Sequence, residues 1–180
     1  MRALLDANVL YPTVLRQVLI GAAARGLYRP LWSARILEEW ARAMARDGTA
    51  AEAAARAEIA ALHEAFPKAE LAPAPGIEQR LHLPDPADEH VLAVAIAGSA
   101  DVIVTFNAAD FPRRILSEEG LKRLDPDEFL RSFHPDAQAA IAASAEEARA
   151  KISAASGEDW DLRRLLKRAG LPRLGKLLAA

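Results

Sequence analysis

The chain has 180 residues, no cysteine and a formal net charge of −2. That length suits one core domain with a small appendage, and the missing cysteine excludes disulfides, zinc–thiolate sites and a cysteine nucleophile, as expected of a reducing cytoplasm. No run of about eighteen apolar residues argues for a membrane span, and the slight acidity means that a nucleic-acid partner must be met by local basic patches or through a metal.

Ala3-Leu4-Leu5 is a short apolar run of the kind that forms a strand buried on both faces. It ends at Asp6, followed by Asn8, and an acid so early also breaks what would be the apolar core of a signal peptide. Pro12 opens a helix whose buried positions are Val14, Leu15, Val18, Leu19 and Ala22, with Gly26 as its cap. Leu31-Trp32 reads as a brief strand, and Ser33 as the N-cap of a second helix with Ile36, Leu37, Trp40 and Met44 on its buried face. Glu38 and Glu39 flank that face in different directions, so at most one of them points into a site formed against the sheet. Thr49 to Glu52 reads as a capping box for an alanine-rich helix that stops at Phe66-Pro67. The proline-rich segment from Lys68 to Leu83 reads as loop, with one short strand near Ile77 or Leu81.

Leu83 to Pro112 organises the rest. Asp85 suits an N-cap, Pro86 the first turn and Asp88 the third helical position, ahead of the apolar run Val91 to Ala97, which Gly98 stops. Capping alone would account for both acids, but Asp88 lies one turn before Val91 and Leu92, on the rim of the buried face, whereas His90 points elsewhere. The histidines at 63, 82, 90 and 134 show no ligand spacing. Val102-Ile103-Val104 forms a buried strand, and the chain leaves it through Thr105, Asn107 and Asp110. Leu121 to Leu124 reads as a further strand. Asp125-Pro126-Asp127-Glu128 is a proline-led capping box whose acids serve as caps.

His134-Pro135 marks a boundary, so residues 1–133 read as one domain and 134–180 as a helical C-terminal extension. An alanine-rich helix from Ala137 to Ile152 precedes a linker at Ser153 to Gly157. The amphipathic helix Asp161 to Ala169 then sets leucines against Arg163, Arg164, Lys167 and Arg168, and Arg173 and Lys176 extend the basic character. The choice is between a solvated basic face and an RNA-contacting patch.

Alternation of strands and helices implies an α/β fold with a parallel sheet. Asp6, Asp88 and Asp110 then reach one rim beyond the carboxyl ends of the strands, and Glu39 or Glu38 can join them. Converging carboxylates repel unless some take up protons or a cation intervenes. Mg²⁺ or Mn²⁺ is the expected cofactor, because hard cations prefer oxygen ligands and the chain offers no soft ones. An acidic site with such an ion suits phosphodiester hydrolysis.

The ordered segments LLDANVLYP, ILEEW, PDPADEHVLAVA and VTFNAADFP resemble the PIN domain, the metal-dependent ribonuclease fold of VapC-type toxins, across residues 1–133. The resemblance implies a three-layer α/β/α domain that cleaves single-stranded RNA with water, leaving a 5′-phosphate and a 3′-hydroxyl. By position it implies Asp6, Glu39, Asp88 and Asp110 as catalytic residues, with Asp6, Asp88 and Asp110 on the metal. Asp85 is then an auxiliary, and Asn8 and Thr105 orient the acids. Many relatives carry an acid at the place of Asn107, so one firm metal site is expected. The resemblance also implies a small antitoxin partner, which could set an arginine among the carboxylates, and a homodimer. A haloacid-dehalogenase-like phosphatase would need an acid where Asn8 stands, and a receiver domain a lysine near Thr105. The remaining rival is a PIN scaffold that binds RNA or a protein without cleaving.

Overall fold

The computed structural model describes residues 1–179. In chain order they form β1 (Arg2–Leu5), α1 (Ala7–Leu10), α2 (Thr13–Ala24), β2 (Arg29–Ser33), α3 (Ala34–Met44), α4 (Thr49–Ala65), β3 (Glu70–Leu71) and α5 (Pro75–Glu78). There follow α6 (Glu89–Ala97), β4 (Val102–Val104), α7 (Arg113–Glu118), β5 (Lys122–Leu124), α8 (Pro126–Arg131), α9 (Gln138–Ser156), α10 (Leu162–Arg168) and α11 (Pro172–Leu178). The fold is α/β, a five-stranded parallel sheet flanked by helices with further helices at the C-terminal end, as the sequence pattern implies. No helix among the described residues is long and apolar enough to cross a membrane.

The chain divides into two compact units. The first comprises Met1–Tyr11 and Arg29–Leu124, the second Pro12–Tyr28 and Asp125 onward. The first holds the sheet, in the order β3-β2-β1-β4-β5. Ala3, Leu4 and Leu5 are all fully buried, as are Ile103 and Val104, so both faces of the central strands are covered. That is why these strands read as continuous apolar runs rather than alternating ones. The registers Leu4↔Ile103 and Leu5↔Val104 set the ends of β1 and β4 side by side. Since β1 lies between β2 and β4, the winding of the sheet reverses at this place, which is where doubly wound sheets open a crevice.

The segment between α4 and α6 departs from the sequence reading. The short strand is Glu70–Leu71, paired with Trp32 and Ser33, and residues near Ile77 form α5 instead. Pro75 at the first helical position favours that turn. Thr49 does not cap α4; Gly48, at φ +112°, stands before it. Gly98 stands at the end of α6 and leaves room for Leu71, whose Cδ1 would lie 2.3 Å from a Cβ at that position and would have to shift for any larger residue.

In the second unit α2 packs against α9, and α10 against α11. Tyr28, Phe129 and Phe133 form an aromatic cluster, with Tyr28 and Phe129 edge to face at 4.9 Å. α9 runs unbroken to Ser156, so the expected linker from Ser153 is the last turn of a helix closed by Gly157 at φ +71°. Asp125 caps α8 through Glu128 N–H, as expected, but Asp127 does not cap its own helix. Its carboxylate is buried and accepts hydrogen bonds from Arg173 N (3.0 Å) and Leu174 N (2.8 Å), closing the start of α11. A distant helix start was invisible to a reading that matches acids with their own helices. Asp127→Ala removes both acceptors and leaves two amide donors unpaired. We expect a loss of about 2 kcal/mol and earlier proteolysis after α10, read by thermal denaturation and limited trypsin digestion; unchanged stability would remove the clamp role.

Candidate active site

β1 and β4 end together, and their first residues beyond the sheet meet. Asp6 N donates to Val104 O (3.2 Å), which extends the ladder by one rung. Thr105 Oγ1 donates to Asp6 Oδ2 (2.7 Å), and Asn8 Nδ2 donates both to that oxygen (2.7 Å) and to Thr105 Oγ1 (2.9 Å). Asn8 Oδ1 accepts from Phe106 N (3.1 Å), and Thr105 Oγ1 accepts from Asn107 N (2.9 Å). Asp6 is thus a buried carboxylate, 5 % exposed, locked by a polar network that ties the two strand ends together. Burial drives its carboxyl above the ordinary value, Glu39 adds to this, and the Thr105 hydroxyl, the Ala7 amide and His90 oppose it.

The other carboxylates arrive from the α6 entrance and the loop after β4. Asp85 accepts from Ala87 N (2.9 Å) and so caps a 3-10 turn, Pro86–Asp88, that leads into α6. Oxygens of Asp85, Asp88 and Asp110 lie within 4.8 Å of one another. Asp6 stands outside this trio but close enough to act on Asp88 by charge. Asn107 Nδ2 donates to Asp88 Oδ2 (2.9 Å), so the amide found in place of an acid braces one of the clustered carboxylates. Asp88 is pushed up to about 6, first by partial burial and then by the charges of Asp6, Asp85 and Asp110, with His90 pulling the other way.

The two glutamates of α3 separate cleanly. Glu38 pairs with Arg42 (2.8 Å) and Arg56 (2.8 Å), which hold its carboxyl well below the ordinary value. Glu39 turns toward the rim, where its charge acts on Asp6. His90 Nε2 approaches Glu39 Oε1 at 3.0 Å without the alignment of a hydrogen bond, and Arg35 Nε donates to the same oxygen (3.2 Å). Partial burial works against ionisation of Glu39, but His90 and Arg35 outweigh it and lower its pKa. His90 is therefore not turned away from the site as the sequence reading had it. It is 4 % exposed, because α6 is buried on every side from His90 to Ala95 and offers no solvent face there. Arg35 also escaped that reading, although its spacing of four from Glu39 was a visible signal. It reaches Ala87 O (3.3 Å) and Glu78 (3.6 Å) as well, joining α3 to the turn that carries Asp88.

Carboxylates so placed fit a divalent cation. The donors are all oxygen, Asp85 and Asp88 from the α6 entrance and Asp110 from the loop after β4, and after partial burial the charges of their neighbours help to raise the Asp88 pKa. A recess of about 470 Å³ at the opposite end of the sheet, with walls that include Arg2, Arg29, Leu31, Phe66 and Leu71, contains none of these acids.

A parallel sheet reversing direction at its centre, with clustered carboxylates beyond the strand ends, defines an α/β domain with an acidic, nuclease-like site. Residues 2–109 match the profile of the PIN domain, and the chain belongs to that family. PIN domains are typically metal-dependent nucleases. No curated protein and no solved structure matches the chain.

The sign of the Asp88 shift sets a test. Its carboxyl binds a proton more tightly in the folded chain than in the unfolded one, so ionisation costs stability above pH 6, and the cost fades as pH falls from about 6 toward 4. Asp6 acts in the same direction. In EDTA the protein should therefore gain stability between pH 7.5 and 5. Asp88→Asn should raise stability at pH 7 by ~1 kcal/mol, discounted because the group is partly solvated. Thermal denaturation reads both, and a lowered melting temperature for the variant in EDTA would exclude this repulsion.

Proposed function

We propose that the protein is a metal-dependent endoribonuclease that hydrolyses phosphodiester bonds of single-stranded RNA. The convergence of Asp85, Asp88 and Asp110, with Asp6 in charge range of Asp88, carries this reading. Asp88 and Asp110 hold one Mg²⁺ or Mn²⁺ ion, Asp85 supplies the third clustered carboxylate, and Asp6 completes the rim. When bound, the ion offsets the substrate's negative charge, lowers the pKa of an attacking water and stabilises the leaving oxygen.

The chain's own residues position and tune. Asn107 fixes one oxygen of Asp88 and with it the plane of the carboxylate. Thr105 and Asn8 hold Asp6 against the repulsion of its neighbours. Glu39, kept ionised by Arg35 and His90, adds negative charge at the rim and favours cation binding there. Arg35 couples that glutamate to the turn carrying Asp88.

Purified protein should cleave single-stranded RNA with Mn²⁺ or Mg²⁺ and stop on chelation. Asp6→Asn and Asp88→Asn should each lower the rate at least a hundredfold, about 2.7 kcal/mol of transition-state stabilisation, with the fold intact by circular dichroism. Gel assays on end-labelled RNA read this, and wild-type rates in either variant would remove the catalytic assignment. Retained RNA binding with no cleavage under any divalent metal would favour the second reading, a non-cleaving PIN scaffold, for which Asn107 in place of an acid is the supporting observation.

Family membership and the resemblance to VapC-type toxins extend the reading to a toxin of a toxin–antitoxin pair that works in the cytoplasm as a homodimer. Its antitoxin is a small protein that covers the acidic rim, with an arginine among the carboxylates. Induced expression in a bacterial host should arrest growth, and Asp6→Asn should abolish the arrest. Normal growth with active wild-type enzyme present would leave a nuclease but no toxin.

A further inference from the structure

The second unit concentrates positive charge on one segment. Arg163, Arg164, Lys167 and Arg168 are exposed on α10, and Arg173 and Lys176 are exposed on α11. Between residues 161 and 178 the single acid is Asp161, and its carboxylate accepts from Arg164 N (2.8 Å) as the helix cap. None of these six side chains has an acidic partner among the described residues. Their backbones are fixed, since Leu165, Leu166, Leu171 and Leu174 are buried beneath them and Asp127 holds the start of α11. Arg163 and Lys167 form one row on α10, and Arg164 and Arg168 the adjoining row. Within each row the two cations are one helical turn apart, about 6 Å, the scale of successive phosphates on an extended strand.

An aromatic platform stands beside these rows. The Arg164 and Arg168 guanidinium groups lie 5.6 and 5.0 Å from the Trp160 ring centroid. Trp160 is tethered at three atoms: its backbone N donates to Ser153 Oγ (3.1 Å), its Nε1 donates to Ser156 Oγ (3.2 Å), and its carbonyl accepts from Arg149 Nη1 (3.2 Å). Next to it opens a recess of about 260 Å³ whose walls include Thr13, Val14, Ile152, Trp160, Leu165 and Arg168. Apolar walls with an indole and a guanidinium at the edge suit the flat face of an unstacked base.

We propose that the second unit carries a single-stranded RNA-binding site, in which the recess beside Trp160 takes a base and the cations of α10 and α11 take the flanking phosphates. The choice of RNA as the strand rests on the ribonuclease reading of the first unit. A polyanion gains little from a rim of carboxylates, so a nuclease of this kind needs cationic purchase elsewhere on the chain. An acidic protein would meet the same charges but has no use for an indole-walled recess of this size.

The test measures binding of a fluorescein-labelled single-stranded 12-mer RNA to the full chain in EDTA, across a salt series, with cleavage assayed separately in Mn²⁺. The triple variant Arg163→Gln, Lys167→Gln, Arg168→Gln should bind at least tenfold more weakly. The slope of log affinity against log salt should shrink by about 2, from roughly 0.7 for each lost phosphate contact. Trp160→Ala should weaken binding about fivefold or more while leaving the salt slope in place; circular dichroism and thermal denaturation confirm that both variants fold. Unchanged affinity and slope in the folded triple variant overturns the proposal, as does no RNA binding by the wild type. Displacement by polyglutamate as effective as by unlabelled RNA of equal charge also overturns it, in favour of an acidic-protein surface. Patch-dependent binding without cleavage sustains this site and sinks the nuclease reading. Cleavage with variants that bind like wild type does the reverse.

Discussion

Repulsion between carboxylates governs the first unit. Asp85, Asp88 and Asp110 crowd into one small volume with Asp6 in charge range, and partial burial followed by this crowding drives Asp88 up to about 6. Such a group survives folding only where other interactions hold it. Here the holding is divided: Thr105 and Asn8 clamp Asp6, Asn107 clamps Asp88, and the Ala87 amide clamps Asp85. Two donors share Asp6, while Asp85 and Asp88 each have one of their own, so no single contact carries the arrangement. A rim that costs stability by itself and is braced from several sides has the chemistry to accept an external cation.

The clamps depend in turn on the sheet. Parallel pairing of Leu5 with Val104 places Asp6 and Thr105 at adjoining strand ends, and a slip of one residue would turn each side chain to the opposite face. Full burial of both strands makes such a slip costly. The register is therefore set by apolar packing, and the polar network inherits its geometry. The same logic applies to α6. Its entrance delivers Asp85 and Asp88 to the rim, and its closure at Gly98 lets Leu71 approach closely from β3.

Much of this was legible in residue order. Buried strands ended by polar residues, a proline-led helix entrance and the segment after β4 together revealed the parallel sheet and the acids beyond it. The fold class needed only periodicity and the rule that strands buried on both faces read as apolar runs. What stayed hidden was lateral. Glu38 and Glu39 are adjacent in sequence, and only the position of Arg56 on α4 shows which one is drawn away from the rim. His90 was misplaced because helical spacing assigns a direction but cannot tell that α6 is enclosed on all sides. Asp127 was misread because its partners lie on α11, far along the chain. Likewise Asn107 reads as an uncharged position beside a single metal site, and only the structure shows its amide donating to Asp88.

A net charge of −2 conceals two local concentrations of opposite charge. The first unit gathers acids at one rim, and the second gathers cations on α10 and α11, so the sum is nearly zero while neither surface is neutral. Overall charge is a poor guide to a polyanion partner when the charges are segregated in this way, because screening confines each surface to its own surroundings, about 8–10 Å at ordinary salt. Within that distance an incoming phosphate near α10 meets arginines and a lysine, and a cation near β1 and β4 meets carboxylates. Weak acidity for the whole chain is thus compatible with a negatively charged substrate. The two surfaces differ in what they can hold: clustered carboxylates suit a cation, whereas rows of arginine and lysine suit successive phosphates.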